Sequence, residues 1–257
     1  MAGPMNPTVV DLSHHNVVRS FDKAKAAGIK AVIHKATQGT AYVDRFYAVR
    51  REAALESGLL WGAYHFADEQ DVEAQVAHFL SIARPGKNTL LALDWEPNGS
   101  HTMSLAQAKD FLRLVHEKTG QKPVLYSGNL VKECLKGQTD PFLCSHRLWL
   151  AQYGPKAVLP PGFTNYWLWQ YTGDGVGREP HEIDGIPSKG LDLSIFGGKD
   201  MAAEWAPVEA GVLSLAHLVA LSAASYAAPT PSDQREPSPR ANGPARAGRG
   251  SQRSAAS

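Results

Sequence analysis

Short apolar segments alternate with amphipathic segments from the N-terminus almost to residue 200, and this alternation constrains the fold more than any other feature. The apolar segments have the length of strands, and the amphipathic ones show helical spacing with capping residues or glycine at their ends. Repeated strand–helix units predict parallel strands joined by right-handed crossovers. With eight such strands, the chain is predicted to close into an α/β barrel.

The predicted strands cover residues 8–12, 30–34, 59–66, 89–95, 124–127, 148–153, 166–171 and 191–196. Helices are predicted over residues 20–27, 44–57, 71–83 and 104–120. The last three strands are joined by loops that lack a helical pattern. We therefore predict an irregular TIM-like (β/α) barrel, eight strands with an incomplete helical ring.

Residues 1–207 are predicted to form this single domain, with 197–207 closing the bottom of the barrel. Residues 208–257 are low in complexity and are predicted to be a disordered C-terminal tail. Within the tail, residues 208–228 approach the length of a membrane span, about 20 residues. Alanine and serine dilute their hydropathy, so a marginal helix or a disordered stretch is favoured over a membrane role.

Composition excludes several classes of function. The net charge is +1, so no nucleic-acid partner is expected, and we expect a monomer. Cys134 and Cys144 are too few for a disulfide scaffold and could be paired or free thiols. The N-terminus has no basic region before an apolar core, so it does not resemble a signal peptide, and export would need another route.

The apolar run 90–93 ends in Asp94, Trp95 and Glu96. Side chains alternate faces along a strand, so the two carboxylates point the same way, with Cα atoms about 6.6 Å apart. Carboxylates held this close tend to have separated pKa values, which glycoside hydrolysis requires. An acidic strand end exposed to solvent is the other interpretation of this triplet.

In a barrel of this kind, active-site residues come from the carboxyl ends of the strands. Four acids from three strands are predicted to converge there: Asp11, Asp94, Glu96 and Asp192. Other polar and aromatic side chains at or near these ends are candidate sugar contacts, because aromatic faces pack against sugar rings. They are Lys35, Tyr64, His65, Trp95, Tyr126, Gln152, Gln170 and Tyr171.

Other chemistries fit the sequence less well. There is no G-x-S-x-G elbow, P-loop or dinucleotide fingerprint. His14 and His15 suggest a metal pair, but adjacent strand residues face opposite ways. A zinc hydrolase would need His14, His65 and an acid to converge, so no metal or cofactor is expected.

Several ordered segments together resemble the muramidases (lysozymes) of glycoside hydrolase family 25. The resemblance runs from about residue 9 to residue 197. The segments are VDLSH at 10–14, AAGI at 26–29, KATQG at 35–39, GAYHF at 62–66, LDWE at 93–96, WQY at 169–171 and LDLS at 191–194.

The resemblance implies an irregular barrel that cleaves the β-1,4 bond after N-acetylmuramic acid in peptidoglycan, with retention and without metal. It implies that Glu96 is the general acid and Asp94 the second central carboxylate, with Asp11 and Asp192 completing an acidic floor. Whether Asp94 is a nucleophile or assists the substrate's own acetamido group stays open. The family often has an aromatic residue and then Gln where this chain has His15 and Asn16.

Two other functions remain open at this stage: a non-catalytic glycan-binding barrel, and a glycosidase of the same fold that acts on another N-acetylated glycan. The expected place of action is the cell wall, in the periplasm or outside the cell. A phage or prophage endolysin and a secreted bacterial enzyme both fit this expectation.

Overall fold

The computed structural model describes residues 5–207. In this part of the chain the strands are β1 (Val9–Leu12), β2 (Ala31–Gln38), β3 (Tyr42–Val43), β4 (Leu60–Phe66), β5 (Thr89–Asp94), β6 (Val124–Ser127), β7 (Leu148–Ala151), β8 (Leu168–Gly173), β9 (Val176–Gly177) and β10 (Asp192–Phe196). Each predicted strand is present, within a few residues at its ends. The short strands β3 and β9 were not predicted.

The helices of the described part are α1 (Phe21–Ala26), α2 (Tyr47–Glu56), α3 (Val72–Ala83), α4 (Leu105–Thr119), α5 (Asn129–Leu135), α6 (Pro141–Cys144) and α7 (Met201–Glu204). Local capping explains where several begin. The side chains of Ser20, Asp71 and Ser104 each accept a backbone N–H from the first turn of the helix that follows. The short helices α5, α6 and α7 were not predicted.

Eight strands form the closed barrel in the order β1, β2, β4, β5, β6, β7, β8, β10, and β10 returns to pair with β1. The predicted irregular α/β barrel is confirmed. The expectation that every strand is parallel is wrong for β10, which runs antiparallel to both β8 and β1. Within the described chain no helix separates β8 from β10. The chain therefore returns without the crossover that a parallel strand needs.

The ring of helices around the barrel is incomplete, as predicted. Between β7 and β8, and again between β8 and β10, the structure described here contains loops and the short strand β9 but no helix. Hydrophobic residues divide into one cluster inside the barrel and another between the strands and the helices. Strand alternation produces this division, because neighbouring side chains point to opposite faces.

The end of the barrel at the start of the parallel strands is closed by α7 and the residues after it. Met201 and Trp205 join the inner cluster, where Trp205 contacts Trp167. The Trp205 indole N–H donates to the carbonyl of Trp61 over 2.8 Å. The prediction that residues 197–207 close the bottom of the barrel is confirmed.

The predicted disordered tail, including the apolar segment 208–228, lies outside the described residues, and the proposed domain boundary at 207 stays a prediction. Of the helices between residues 5 and 207, none is long and apolar enough to cross a membrane. Cys134 and Cys144 are free cysteines.

Candidate active site

The predicted catalytic acids lie at the end of the barrel where the parallel strands finish, and we call this end the mouth. Asp192 reaches it from the start of β10, because β10 runs antiparallel to its neighbours. Asp11 lies opposite Asp192 in the β1–β10 ladder, and Asp94 lies beside Tyr126 in the β5–β6 ladder. Asp11 and Asp94 are each only 3% exposed, whereas Glu96 and Asp192 are half-buried. The mouth thus holds two acids shielded from water and two that solvent reaches.

Strand alternation places the acidic pair of β5. Leu90 and Ala92 belong to the inner cluster, whereas Leu91, Leu93 and Trp95 belong to the outer one. Asp94 follows the inner series. The N–H of Trp95 donates to the carbonyl of Tyr126 over 3.0 Å, which extends the ladder by one residue. The alternation therefore continues to Glu96, as predicted from the sequence.

The side-chain amide of Gln170 connects three groups of the mouth. Its Nε2 donates to Oδ2 of Asp11 over 2.9 Å. Its Oε1 accepts from the hydroxyl of Tyr126 at 2.9 Å and from the hydroxyl of Tyr153 at 3.2 Å. Gln170 itself is completely buried. It therefore contacts the acidic cluster from below rather than lining its surface.

Tyr126 lies among the carboxylates. Burial raises the pKa of its phenol well above the ordinary value, and the charges of Glu96, Tyr153, Asp94 and Asp11 raise it further. Tyr126 therefore stays protonated and acts as a hydrogen-bond donor. These electrostatic interactions also show that three of the four acids act on one hydroxyl group.

Gly173, at the end of β8, leaves space for the fourth acid. A Cβ atom at this position would collide with Oδ1 of Asp192 and with the hydroxyl of Tyr153. Asp192 and Tyr153 therefore both lie over the glycine, and the Tyr153 hydroxyl donates to Oε1 of the Gln170 amide. A larger residue at 173 would displace both side chains.

Lys35 and Tyr64 are neighbours in the β2–β4 ladder and lie near the mouth. Tyr64 belongs to the inner cluster and is 2% exposed. The Lys35 ammonium donates to Oε1 of Gln38 over 2.6 Å and lies 4.6 Å from the centre of the Phe66 ring. Their predicted contact with substrate stays a prediction, as does that of Tyr126 and Gln170.

Three predicted substrate contacts do not reach the mouth, and their assignment is corrected. His65, Trp95 and Tyr171 are each 0% exposed and lie outside the barrel wall. Each is the strand neighbour of a residue that faces inward, so alternation turns it toward the helices or loops. The Trp95 indole donates to the Met103 carbonyl, and the Tyr171 hydroxyl donates to the Pro180 carbonyl.

His65 occupies a structural position under the helices. Its Nδ1 lies 2.8 Å from the Thr37 hydroxyl and its Nε2 lies 3.0 Å from Oε1 of Gln75. Its ring stacks on Phe111 with centroids 5.0 Å apart. Burial lowers its pKa to about 3, which keeps the imidazole neutral. Both ring nitrogens are engaged by Thr37 and Gln75, so a structural role replaces the predicted contact with substrate.

Gln152 is half-buried and its side-chain oxygen has protein partners, and its predicted contact with substrate stays a prediction. Its Oε1 accepts from the Lys132 ammonium at 2.8 Å and from the Val158 N–H at 3.2 Å. The next residue, Tyr153, reaches the mouth and was not among the predicted site residues. The signal was available, because Trp149 and Tyr153 are four residues apart and share one face of the extended chain.

Trp149 supports the mouth from inside the barrel. Its ring meets Tyr126 edge-on, with centroids 4.6 Å apart, and its indole N–H donates to Oγ of Ser194 over 3.0 Å. It is 1% exposed, so it packs beneath the mouth rather than lining it. Its contact fixes the ring of Tyr126.

His14 has partners of its own beside the mouth. Its Nδ1 lies 3.1 Å from Oδ2 of Asp44 and 2.9 Å from the Tyr42 hydroxyl. In the described part of the chain, no group of three His, Cys, Asp or Glu residues is arranged to hold a metal ion.

A mouth with both shielded and half-exposed carboxylates can provide a proton donor and stabilise positive charge on a substrate. An eight-stranded β/α barrel with such a mouth is the arrangement expected of a glycoside hydrolase. The chain belongs to glycosyl hydrolases family 25, whose model matches residues 10–179.

Relatives and solved structures agree with this membership. The chain is 28% identical to lysozyme M1 of Streptomyces globisporus over 191 residues, which are 68% of this chain and 65% of that protein. It is 28% identical to the N,O-diacetylmuramidase of Chalaropsis sp, covering 62% of this chain and 85% of that protein. The bacterial lysozyme from Streptomyces coelicolor matches with a TM-score of 0.67 and 27% identity, over 79% of this chain and 96% of that one. The chain thus spans less than two thirds of the Streptomyces globisporus relative.

Proposed function

We propose that this protein is a peptidoglycan muramidase. It hydrolyses the β-1,4 bond between N-acetylmuramic acid and N-acetylglucosamine with retention of configuration, and so lyses or remodels the cell wall. Its substrate is then the glycan strand, and its place of action is the periplasm or the outside of the cell. The family membership and the similarity to a lysozyme and an N,O-diacetylmuramidase support the proposal.

One geometric observation carries the proposal most directly: Tyr126 lies beside Asp94 in the β5–β6 ladder and shares the Gln170 amide with Asp11, and Glu96 follows two residues after Asp94. A barrel that only binds glycans has no need to bring three carboxylates to one point, because like charges held together destabilise the fold. Glycoside hydrolysis does need such a group, since it uses one protonated and one ionised carboxyl.

We assign the general acid to Glu96, because the family resemblance implies this role and because Glu96 is more exposed to solvent than Asp94. Asp94 supplies the negative charge opposite the developing oxocarbenium ion, either as a nucleophile or by orienting the substrate's acetamido group. Asp11 and Asp192 complete the negative field of the mouth.

Turnover on purified peptidoglycan, followed by mass spectrometry of the new reducing ends, tests the function. Muramic acid ends are the expected result. Release of products only from chitin-like polymers would favour a glycosidase for another N-acetylated glycan. Binding without any new reducing ends would favour the non-catalytic barrel.

The stereochemistry is tested separately. Proton NMR in the first minutes of cleavage should show the β-anomer at the new muramic acid end, because a retaining mechanism involves two displacements. An initial α-anomer would contradict both retention and the role given to Asp94.

A further inference from the structure

Gln170 makes three hydrogen bonds in the mouth, and all three are with protein side chains. Its amide is 0% exposed, and both of its polar atoms are occupied by protein groups at 2.9 to 3.2 Å. Such a side chain has no amide atom directed at a sugar. Gln170 must therefore act through its three hydrogen-bond partners, which are Asp11, Tyr126 and Tyr153.

The orientation of the amide is determined by its surroundings. A carboxylate only accepts hydrogen bonds, so the NH₂ group must face Asp11 for that residue to be ionised. The reverse orientation would place a carbonyl oxygen against the carboxylate. A hydroxyl group has one proton, and Tyr126 and Tyr153 both direct theirs to Oε1. Any further hydrogen bond at these two oxygens is therefore one that they accept.

We propose that Gln170 is a positioning residue of the muramidase reaction: its amide holds Asp11 as a charged acceptor and turns both tyrosine protons away from the sugar. The inference rests on the proposed function. It assigns to Tyr126 and Tyr153 the recognition of N–H or O–H donors of the substrate, and it replaces the sequence-based assignment of Gln170 as a substrate contact.

The charged and titratable groups around Gln170 determine which substitutions can test its role. Asp11 faces it from β1, Tyr126 from β6 and Tyr153 from the segment after β7. Asp94 and Glu96 act on Tyr126 from β5, and Asp192 and Tyr153 both lie over Gly173. A carboxyl group introduced at position 170 would therefore meet mostly negative charge.

Gln170→Glu and Gln170→Met separate positioning from packing. A protonated carboxylic acid reproduces the glutamine, since its O–H can donate to Asp11 and its carbonyl can accept from the tyrosines. An ionised one repels Asp11, so the two carboxyl groups share a proton, and the pKa for losing that last proton moves above about 4.3, the ordinary value for Glu. Methionine reproduces the length but none of the hydrogen bonds.

Activity relative to wild type is measured from pH 4.5 to pH 7. For Gln170→Met we expect kcat to fall about 10–100-fold at every pH, the effect of losing a hydrogen bond to a charged group, with KM nearly unchanged. For Gln170→Glu we expect a similar loss at pH 7 and a recovery of roughly tenfold or more as the pH falls. Equal losses at all pH values in both variants, or wild-type activity of either variant at pH 7, would overturn the proposal.

Gln121→Glu is the matched control. Gln121 is also buried, at 3% exposure, and its amide bonds Leu91 N–H and the Thr89 carbonyl at the other end of β5. This variant should lower thermal stability without a recovery of relative activity at low pH. A recovery in the control would show that the acid effect is general and would count against Gln170.

A measurement without substrate keeps this proposal separate from the proposed function. Carboxyl-carbon NMR of aspartate-labelled protein follows the titration of Asp11 in wild type and in both variants. We expect the titration midpoint of Asp11 to rise in Gln170→Met, and in Gln170→Glu we expect two titration steps that belong to the pair of carboxyl groups. An unmoved midpoint would contradict the positioning role even if peptidoglycan is cleaved, and a raised one would support it even if the substrate is another glycan.

Discussion

The two ends of the barrel contain similar residue types but use them differently. At the mouth, acids and tyrosines converge and two of the acids remain half-exposed. At the opposite end, which we call the base, the residues are Arg147, Trp167, Met201, Glu204 and Trp205. There the Arg147 guanidinium lies 4.5 Å from the centre of the Trp167 ring, and the Trp167 indole donates to Oε2 of Glu204 over 3.1 Å.

The charged residues of the base hold α7 and Trp205 in place, and we call α7 and Trp205 together the plug. Arg147 donates to the carbonyls of Glu204 and Trp205, and burial lowers its pKa to about 10. The Glu204 carboxylate accepts backbone N–H groups from Lys199 and Asp200. Its pKa is lowered, because these bonds, the Trp167 indole and Arg147 outweigh burial, which acts in the opposite direction. A charge with fixed partners stabilises structure, whereas a cluster of like charges is available for chemistry.

The largest expected effect separates the acids of the two ends. Glu96→Gln should lower turnover about 10²–10⁴-fold, the usual contribution of general acid catalysis, while leaving the melting temperature close to wild type. Glu204→Gln should do the reverse, because it weakens the plug and leaves the mouth intact. Rates on purified peptidoglycan and thermal melts measure both variants. If the Glu96→Gln variant retains more than roughly a tenth of wild-type turnover, Glu96 is not the general acid.

The next prediction concerns the plug. Trp205→Ala should lower the free energy of unfolding by about 3–5 kcal/mol, the range for truncating a buried tryptophan. Trp205 is 1% exposed and fills the base between Trp167 and β4. Urea unfolding measures the loss, and the rate per folded molecule should be nearly unchanged. A large fall in that rate would show that the base and the mouth are coupled.

Sequence reasoning located the mouth because Asp94 and Glu96 come at the end of an apolar strand, and burial of a strand needs only local information. It erred where it treated neighbouring strand residues as one group. Trp95, His65 and Tyr171 each adjoin an inward residue and therefore face outward. Strict alternation of side chains along each strand excludes all three residues from contact with a substrate in the mouth. Gln152 and Tyr153 follow the end of β7, and the same alternation puts Tyr153 on the face of Trp149.

The antiparallel direction of β10 was not predictable from its own residues, because a short apolar strand has the same pattern in either direction. Its direction follows from the connection, which contains the β9 hairpin instead of a helix. The interactions of Gln170 were equally hidden, since they join residues 159 and 44 positions apart in the chain. Hydrogen bonds between residues this far apart in the sequence form only when the barrel closes.

A third prediction contrasts activity at the mouth with stability in the outer layer. Burial lowers the pKa of His65 to about 3 and that of His34 to about 4, from an ordinary value near 6.5. The unfolded chain therefore binds protons between pH 6.5 and these values while the folded chain does not, so stability falls as the pH is lowered through that window. His65→Gln should be less stable at pH 7 and lose less stability on acidification. Melting temperatures from pH 7 to pH 3.5 measure the slopes, and an equal slope in the variant would exclude His65 as a contributor.

The smallest expected effect comes from truncation after Pro207. The plug ends at Trp205, so the shortened protein keeps the contacts of the base and the mouth described between residues 5 and 207. Removal of a low-complexity tail, as the sequence predicts for residues 208–257, should change stability by under about 0.5 kcal/mol, or about 2 °C in melting temperature for a domain of this size. Truncation after Gly198 is the matched control. It removes Met201, Glu204 and Trp205 and should produce an unstable or insoluble protein. If the protein truncated after Pro207 also melts at a much lower temperature than wild type, residues beyond 207 pack on the barrel and the domain boundary lies further along the chain.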